Sequence, residues 1–183
     1  MRFNTISVLG AGAWGTALAN VAARAGHDVC LWGRSQQAVD IISEARENPR
    51  LPGVKLEARV HASADLAQAA KADLILCVVP AQNTRELAAQ LKNLVGASAP
   101  LVLCSKGIER GTRKFMNEVL RDELPANPIG VLSGPSFAAD VSRGLPTAVT
   151  LAADNEDLAR EIAAALSAPA FRLYHSDDLR GVE

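Results

Sequence analysis

The chain has 183 residues, 49% of them hydrophobic and 21% charged, with a formal net charge of -1; this suits one globular domain with a well-buried core and leaves little room for two. So balanced a charge argues against the basic face of a nucleic-acid binder, and no apolar run reaches the ~18 residues that a membrane span requires. Met1-Arg2-Phe3-Asn4 leads straight into an apolar run, so no secretory leader is expected.

That first run, residues 5–9, reads as a buried strand. It is followed by Gly10-Ala11-Gly12-Ala13-Trp14-Gly15 and an Ala-rich helical pattern over residues 16–25, in which Leu18, Val21 and Ala22 share a face. The spacing is that of a dinucleotide-binding turn. Gly10 permits the sharp bend, Gly12 lets backbone approach a pyrophosphate, and Gly15 lets helix and strand pack closely. The free amides and positive end of the helix would face the phosphates. A second strand at 29–32 completes the strand-helix-strand unit that the fingerprint requires.

After that strand the chain offers Gly33-Arg34-Ser35, with no Asp or Glu between Val29 and Val39. A carboxylate at this place commonly binds the ribose hydroxyls of NAD. A guanidinium there suits the 2′-phosphate of NADP, so NADP(H) is expected over NAD(H); the alternative for Arg34 is a solvated surface cation.

A helix over 36–45 leads into a turn-rich connector at 48–53 and a weak strand at 59–61. Residues 63–65 read as a helix start for a short segment at 66–70. The continuously apolar run 74–79 predicts a central parallel strand that ends at Pro80. Helices at 83–94 and 114–124 alternate with strands at 101–104 and 129–132. Ser133-Gly134-Pro135-Ser136-Phe137-Ala138 reads as a turn with a short helix behind it, and strand, helix and strand follow at 147–151, 156–166 and 171–174. The alternation predicts an α/β, Rossmann-like, doubly wound and mostly parallel sheet with helices on both faces.

Ligands of such sheets bind beyond the carboxyl ends of the strands, which directs attention to residues 10–15, 33–34, 80–81, 105–106 and 133–138. Lys106 could extend an ammonium into the crevice. Gly134 and Ser136 could offer an amide and a hydroxyl to an anion, or form an ordinary helix cap. Trp14 either covers the phosphates or packs at the sheet's edge. Cys30, Cys77 and Cys104 lack metal-ligand spacing and read as buried core residues in a reducing cytoplasm. His27, His61 and His175 receive no catalytic role.

Several strings together resemble the amino-terminal domain of the bacterial NAD(P)-dependent glycerol-3-phosphate dehydrogenases. They are the stretch from Gly10 through Thr16-Ala17-Leu18-Ala19, Leu31-Trp32-Gly33-Arg34, Asn48 with Leu51-Pro52-Gly53, Val79-Pro80, Lys106-Gly107-Ile108-Glu109, the 133–138 string and Gly144-Leu145-Pro146-Thr147-Ala148. The resemblance runs end to end. It implies reversible hydride transfer between dihydroxyacetone phosphate and sn-glycerol 3-phosphate, feeding phospholipid synthesis in the cytoplasm. It implies that Ala13, Trp14, Arg34, Lys106 and Ala138 contact the cofactor and that Lys106, Gly134 and Ser136 contact substrate. It further implies a helical second domain after residue 183, and a general acid/base lysine beyond Glu183, so that residues 1–183 alone are expected to be inactive; a homodimer of the full-length protein fits the same picture. Two rival readings share the nucleotide domain: a stand-alone dinucleotide-sensing module and a different two-domain dehydrogenase.

Overall fold

The structure is a computed structural model and describes residues 3–183; Met1 and Arg2, the start of the expected lead-in to the first strand, lie outside the described residues. In chain order it forms β1 (Thr5–Leu9), α1 (Ala13–Arg24), β2 (Asp28–Trp32), α2 (Gln36–Ala45), β3 (Val60–Ser63), α3 (Leu66–Ala69) and β4 (Leu74–Cys77). The second half forms α4 (Thr84–Leu91), β5 (Leu101–Leu103), α5 (Met116–Glu123), β6 (Ile129–Ser133), α6 (Ala138–Ser142), β7 (Thr147–Ala153), α7 (Glu156–Leu166), β8 (Phe171–Ser176) and α8 (Leu179–Val182).

All eight strands lie in one sheet, ordered β3-β2-β1-β4-β5-β6-β7-β8. The order reverses beside β1, so a crevice opens between the loops that leave β1 and β4. Neighbours pair in parallel except β6 and β7, which run antiparallel.

Successive strand residues point to opposite faces, and here both faces are covered. Ile6, Val8, Leu74 and Leu76 join Leu18 and Val21 of α1, Ile42 of α2, Val141 of α6 and Ile162 of α7 in one layer. Leu9, Ile75 and Cys77 join Leu87 and Leu91 of α4 and Met116 and Val119 of α5 in the other. This explains why the central strands read as unbroken apolar runs rather than alternating ones.

Helix α1 is buried on almost every side from Gly15 to Ala23, which accounts for its small side chains. Its outer surface is covered by the connector between α2 and β3. There the buried Asn20 donates to the carbonyl of Lys55 at 2.9 Å and accepts from the amide of Glu57 at 3.0 Å, while Arg46 reaches the carbonyls of Val60 and Glu57.

The expected elements are present with shifted ends. Helix α1 begins at Ala13, inside the glycine motif, rather than at Thr16. β4 closes at Cys77 because Val79 and Pro80 leave the ladder, and a 3-10 turn at Ala81–Asn83 precedes α4. α8 is an element that the sequence pattern did not announce.

Candidate functional site

The turn after β1 is built by packing constraints at two of its three glycines. Gly10 has φ +131°, and a Cβ there would lie 2.6 Å from the carbonyl oxygen of Val78. A Cβ on Gly15 would lie 1.9 Å from the carbonyl oxygen of Gly10, so the helix can rest on the turn only because that atom is missing. Gly12 differs: a Cβ would meet nothing within 4 Å. The protein itself has no need of a glycine there, whereas a phosphate brought up to the backbone would.

Gly12 is the N-cap of α1 and offers no side-chain cap, and no acidic residue occupies the first turn. Among the described residues no acceptor pairs with the amides of Ala13, Trp14 and Gly15. Unpaired amides and the positive helix end together favour an anion, so the residues present fit a dinucleotide's pyrophosphate.

At the end of β2, Arg34 is exposed and has no ion-pair partner among the described residues. Ser35 beside it is occupied, its Oγ accepting from the amide of Ala38 to cap α2. Arg34 is therefore left as an exposed cation just past β2, with no carboxylate paired to it among the described residues.

The second cluster lies where β5 and β6 end. A recess of about 240 Å³ is lined by Trp14, Cys104, Lys106, Leu132, Ser133, Gly134 and Ser136. Three groups expected to converge, Lys106, Gly134 and Ser136, share this hollow with Trp14 from the glycine turn. Lys106 Nζ donates to the carbonyl of Gly134 at 3.2 Å. A Cβ on Gly134 would press on Val149 at 2.9 Å, so this glycine is required by the antiparallel neighbour β7. Ala138, half-buried, opens α6.

One expectation changes here. Ser136 does not begin a helix: α6 starts at Ala138, with Phe137 as its N-cap, and the Ser136 amide already donates to the Gly134 carbonyl at 3.1 Å. The hydroxyl of Ser136 is the group left to meet a ligand.

The loop that carries Lys106 is tied down from the β4 side. Gln82 donates to the carbonyl of Ile108 and accepts from the amide of Arg110, both at 2.9 Å. Arg85 holds Glu109 through two bonds at 2.8 and 2.9 Å and also reaches Asp122 and Glu123. The Arg85 guanidinium, with the Thr112 hydroxyl, lowers the Glu109 carboxyl to about 2.

Sequence reasoning missed this support. Asn48, which helped carry the resemblance but received no role, is buried and donates to Thr16 Oγ1 and to the carbonyl of Ala11. An Asn-Pro pair in a connector reads as a turn; only its burial marks it as more.

The remaining polar groups serve the fold. His27 is buried, with Nε2 2.7 Å from the Ala165 carbonyl. Burial pushes the Cys30 thiol up to about 11, despite a hydrogen bond from Ser7, and the Cys77 thiol to about 12, and Cys104 is also raised. Among the described residues no group of three or more His, Cys, Asp or Glu side chains could hold a metal ion. A larger hollow, about 450 Å³, lies at the amino end of the sheet beside Phe3, Lys71, Asp73 and Pro100. Asp73 is already used there by the amides of Asn4 and Thr5.

Known proteins match the chain in sequence and fold. A family model described as "NAD-dependent glycerol-3-phosphate dehydrogenase N-terminus" matches residues 5–159. A protein of Bradyrhizobium sp. (strain BTAi1) named "Glycerol-3-phosphate dehydrogenase [NAD(P)+]" is 58% identical over 181 residues, covering 99% of this chain and 56% of that protein. A similarly named protein of Afipia carboxidovorans is 56% identical, with coverage of 99% and 56%. Among solved structures, a glycerol-3-phosphate dehydrogenase from Coxiella burnetii superposes with a TM-score of 0.94 at 37% identity, covering 100% of this chain and 57% of that one. The chain thus spans just over half the length, 56%, of the curated relatives it matches.

Proposed function

Because this chain belongs to the family of NAD-dependent glycerol-3-phosphate dehydrogenase amino-terminal domains, we propose that it is the dinucleotide-binding part of an oxidoreductase that reversibly reduces dihydroxyacetone phosphate to sn-glycerol 3-phosphate, a phospholipid precursor. The observation that carries the reading is the shared recess: Lys106, Gly134 and Ser136 converge beside Trp14, the residue that joins this corner to the glycine turn.

In this reading the amides at the start of α1, at Ala13 and Trp14 in the turn bounded by Gly10, Gly12 and Gly15, hold the pyrophosphate, and Trp14 and Ala138 border the cofactor. Arg34 pairs with a 2′-phosphate, which makes NADP(H) the preferred dinucleotide and NAD(H) the weaker one. The bound nicotinamide supplies or accepts the hydride.

Lys106 brings a positive charge to the corner where an anionic substrate oxygen must sit, and its bond to the Gly134 carbonyl keeps the ammonium aimed there when substrate is absent. The Ser136 hydroxyl supplies a second donor. Reduction of the carbonyl also needs a proton at oxygen. That role is assigned to a lysine beyond Glu183, on a second domain.

Fluorescence titration of the full-length protein with NADPH and NADH, followed by dihydroxyacetone phosphate-dependent loss of NADPH absorbance, tests the proposal. Binding with turnover is expected. Binding without turnover would favour a dinucleotide-sensing module or a dehydrogenase of another substrate, and absence of binding would refute the site.

A further inference from the structure

The glycine turn must do more than leave space. A peptide presents either its N–H or its C=O to a neighbour, and a carbonyl oxygen turned toward a phosphate repels it. Some part of the protein therefore has to hold the carbonyls of this turn inward. Two of them are reached by the same buried pair: the Ala11 carbonyl, and the Gly12 carbonyl, which also accepts the Thr16 amide at 3.0 Å as the first bond of α1. Thr16 Oγ1 donates to the Gly12 carbonyl at 2.9 Å, and Asn48 Nδ2 donates both to Thr16 Oγ1 at 2.7 Å and to the Ala11 carbonyl at 3.2 Å.

The orientation of Asn48 is fixed by its other end, since Oδ1 accepts from the amide of Arg50 at 3.0 Å. An amide side chain has one acceptor end and one donor end, so the donor end must face the turn. The hydroxyl proton of Thr16 is committed to Gly12, and its lone pair receives Asn48. Both side chains are fully or almost fully buried, where such bonds are strong and their loss leaves orphaned groups.

We propose that Asn48 is a positioning residue for the cofactor: it holds the Ala11 carbonyl directly and, through Thr16, reinforces the helix bond that holds the Gly12 carbonyl, so that the turn meets the pyrophosphate with amides alone. The inference rests on the dinucleotide reading above. Its physical content is the relay from Asn48 Nδ2 to Thr16 and on to Gly12, closed by the second bond to Ala11.

Asn20 supplies the control. It lies on α1 one turn after Thr16, is as buried as Asn48 and also ties α1 to the connector, but its hydrogen-bond partners among the described residues are Lys55 and Glu57 rather than any atom of the turn. A purely structural connector clamp would make Asn20 and Asn48 equivalent. A positioning role separates them.

The experiment is fluorescence titration of the full-length protein with NADPH, together with thermal melting, for the unmodified protein and for Asn48→Asp, Thr16→Val, Thr16→Ser and Asn20→Ala. Asn48→Asp places a carboxylate oxygen against the Ala11 carbonyl, and Thr16→Val removes the relay while keeping the shape. Both are expected to raise the dissociation constant about tenfold or more, the worth of roughly one hydrogen bond. Thr16→Ser, which keeps the hydroxyl, should stay within about twofold of the unmodified protein. Asn20→Ala should melt lower yet bind NADPH normally. Unchanged affinity in Asn48→Asp and Thr16→Val, or an equal loss in Asn20→Ala, overturns the proposal while leaving dinucleotide binding intact. If the unmodified protein binds no dinucleotide, both readings fall. Should Asn48→Asp not fold, the comparison of Thr16→Val with Thr16→Ser decides the matter alone.

Discussion

The sharpest test of the glycine turn is to add one methyl group at each of two positions three residues apart. At Gly15 the new Cβ would stand 1.9 Å from the Gly10 carbonyl oxygen, well over 1 Å inside the ~3.3 Å at which carbon ordinarily meets such an oxygen. The obstacle is backbone, itself pinned by the Gly10 amide donating to the Trp32 carbonyl at 3.0 Å. No rotamer relieves the clash, so α1 must lift from the sheet. Ordinary overpacking costs about 1–3 kcal/mol, and a helix buried from Gly15 to Ala23 has nowhere to move. Gly15→Ala should therefore lose about 3 kcal/mol or more, a fall in melting temperature of roughly 6–12 °C at the ~2–4 °C per kcal/mol typical of this size.

At Gly12 the same methyl meets nothing within 4 Å. Its φ of −88° is open to any residue. The poorer N-cap and the less flexible unfolded chain oppose each other at up to about 1 kcal/mol each. Gly12→Ala should melt within about 4 °C of the unmodified protein. The methyl does, however, occupy the approach to the helix amides. Losing one charge-assisted amide–phosphate bond, about 1.5–3 kcal/mol, weakens NADPH binding by at least about tenfold. Differential scanning fluorimetry and NADPH titration on both variants read the two effects separately. A Gly12→Ala protein that binds NADPH normally would show that no phosphate approaches that backbone, and a Gly15→Ala protein with normal melting would refute the packing argument.

Arg34→Ala should abolish any preference for NADPH over NADH by weakening NADPH about tenfold while sparing NADH, read by titration of both; a preference that survives would move the 2′-phosphate elsewhere. Lys106→Ala in the full-length protein should raise KM for dihydroxyacetone phosphate about tenfold or more, since a charged contact is removed, and an unchanged KM would take substrate away from the recess. Arg85→Gln should destabilise the protein by about 1–2 kcal/mol at neutral pH, less than a fully buried pair because Arg85 is partly exposed. Because Glu109 is held down to about 2 by Arg85 and Thr112, its contribution is full above the ordinary carboxylate range near 4.5 and is lost as pH falls toward 2; the melting gap between the two proteins should close over that window, and a gap that widens on acidification would reverse the sign. The three buried thiols, with Cys30 raised to about 11 and Cys77 to about 12, should resist a thiol reagent at pH 8 and all react after denaturation; rapid labelling of the native protein would contradict their burial.

What could be read from the sequence depended on how far apart the cooperating residues stand. The glycine turn and the strand-helix alternation are local patterns, so the sheet, the position of Arg34 and the convergence of Lys106 with the 133–138 string all followed from counting. The reversed direction of β7 did not. A parallel return from β6 must carry the chain back along a five-residue strand, roughly 17 Å, but α6 has only five residues and spans roughly 8 Å. The chain instead enters β7 from the carboxyl end and runs antiparallel. Pro135 and Gly144-Leu145-Pro146, which bound that short helix, were the signal for it.

The same argument explains why the support of the site was hidden while its proposed contact residues were not. Gly12, Arg34, Lys106 and Ser136 stand at strand ends, where position alone suggests a role. Asn48 lies 32 residues from Thr16 and 37 from Ala11, and Gln82 lies 26 from Ile108; neither pairing has a period or a motif. A side chain that acts by holding someone else's carbonyl is chosen for the direction of its donor in the folded protein. Such a residue becomes visible only once the chain has brought a buried amide and an outward-facing turn within three ångströms or so of each other. For this fold, the residues proposed to touch the ligand can be named by reading along the chain, and those proposed to aim them only by reading across it.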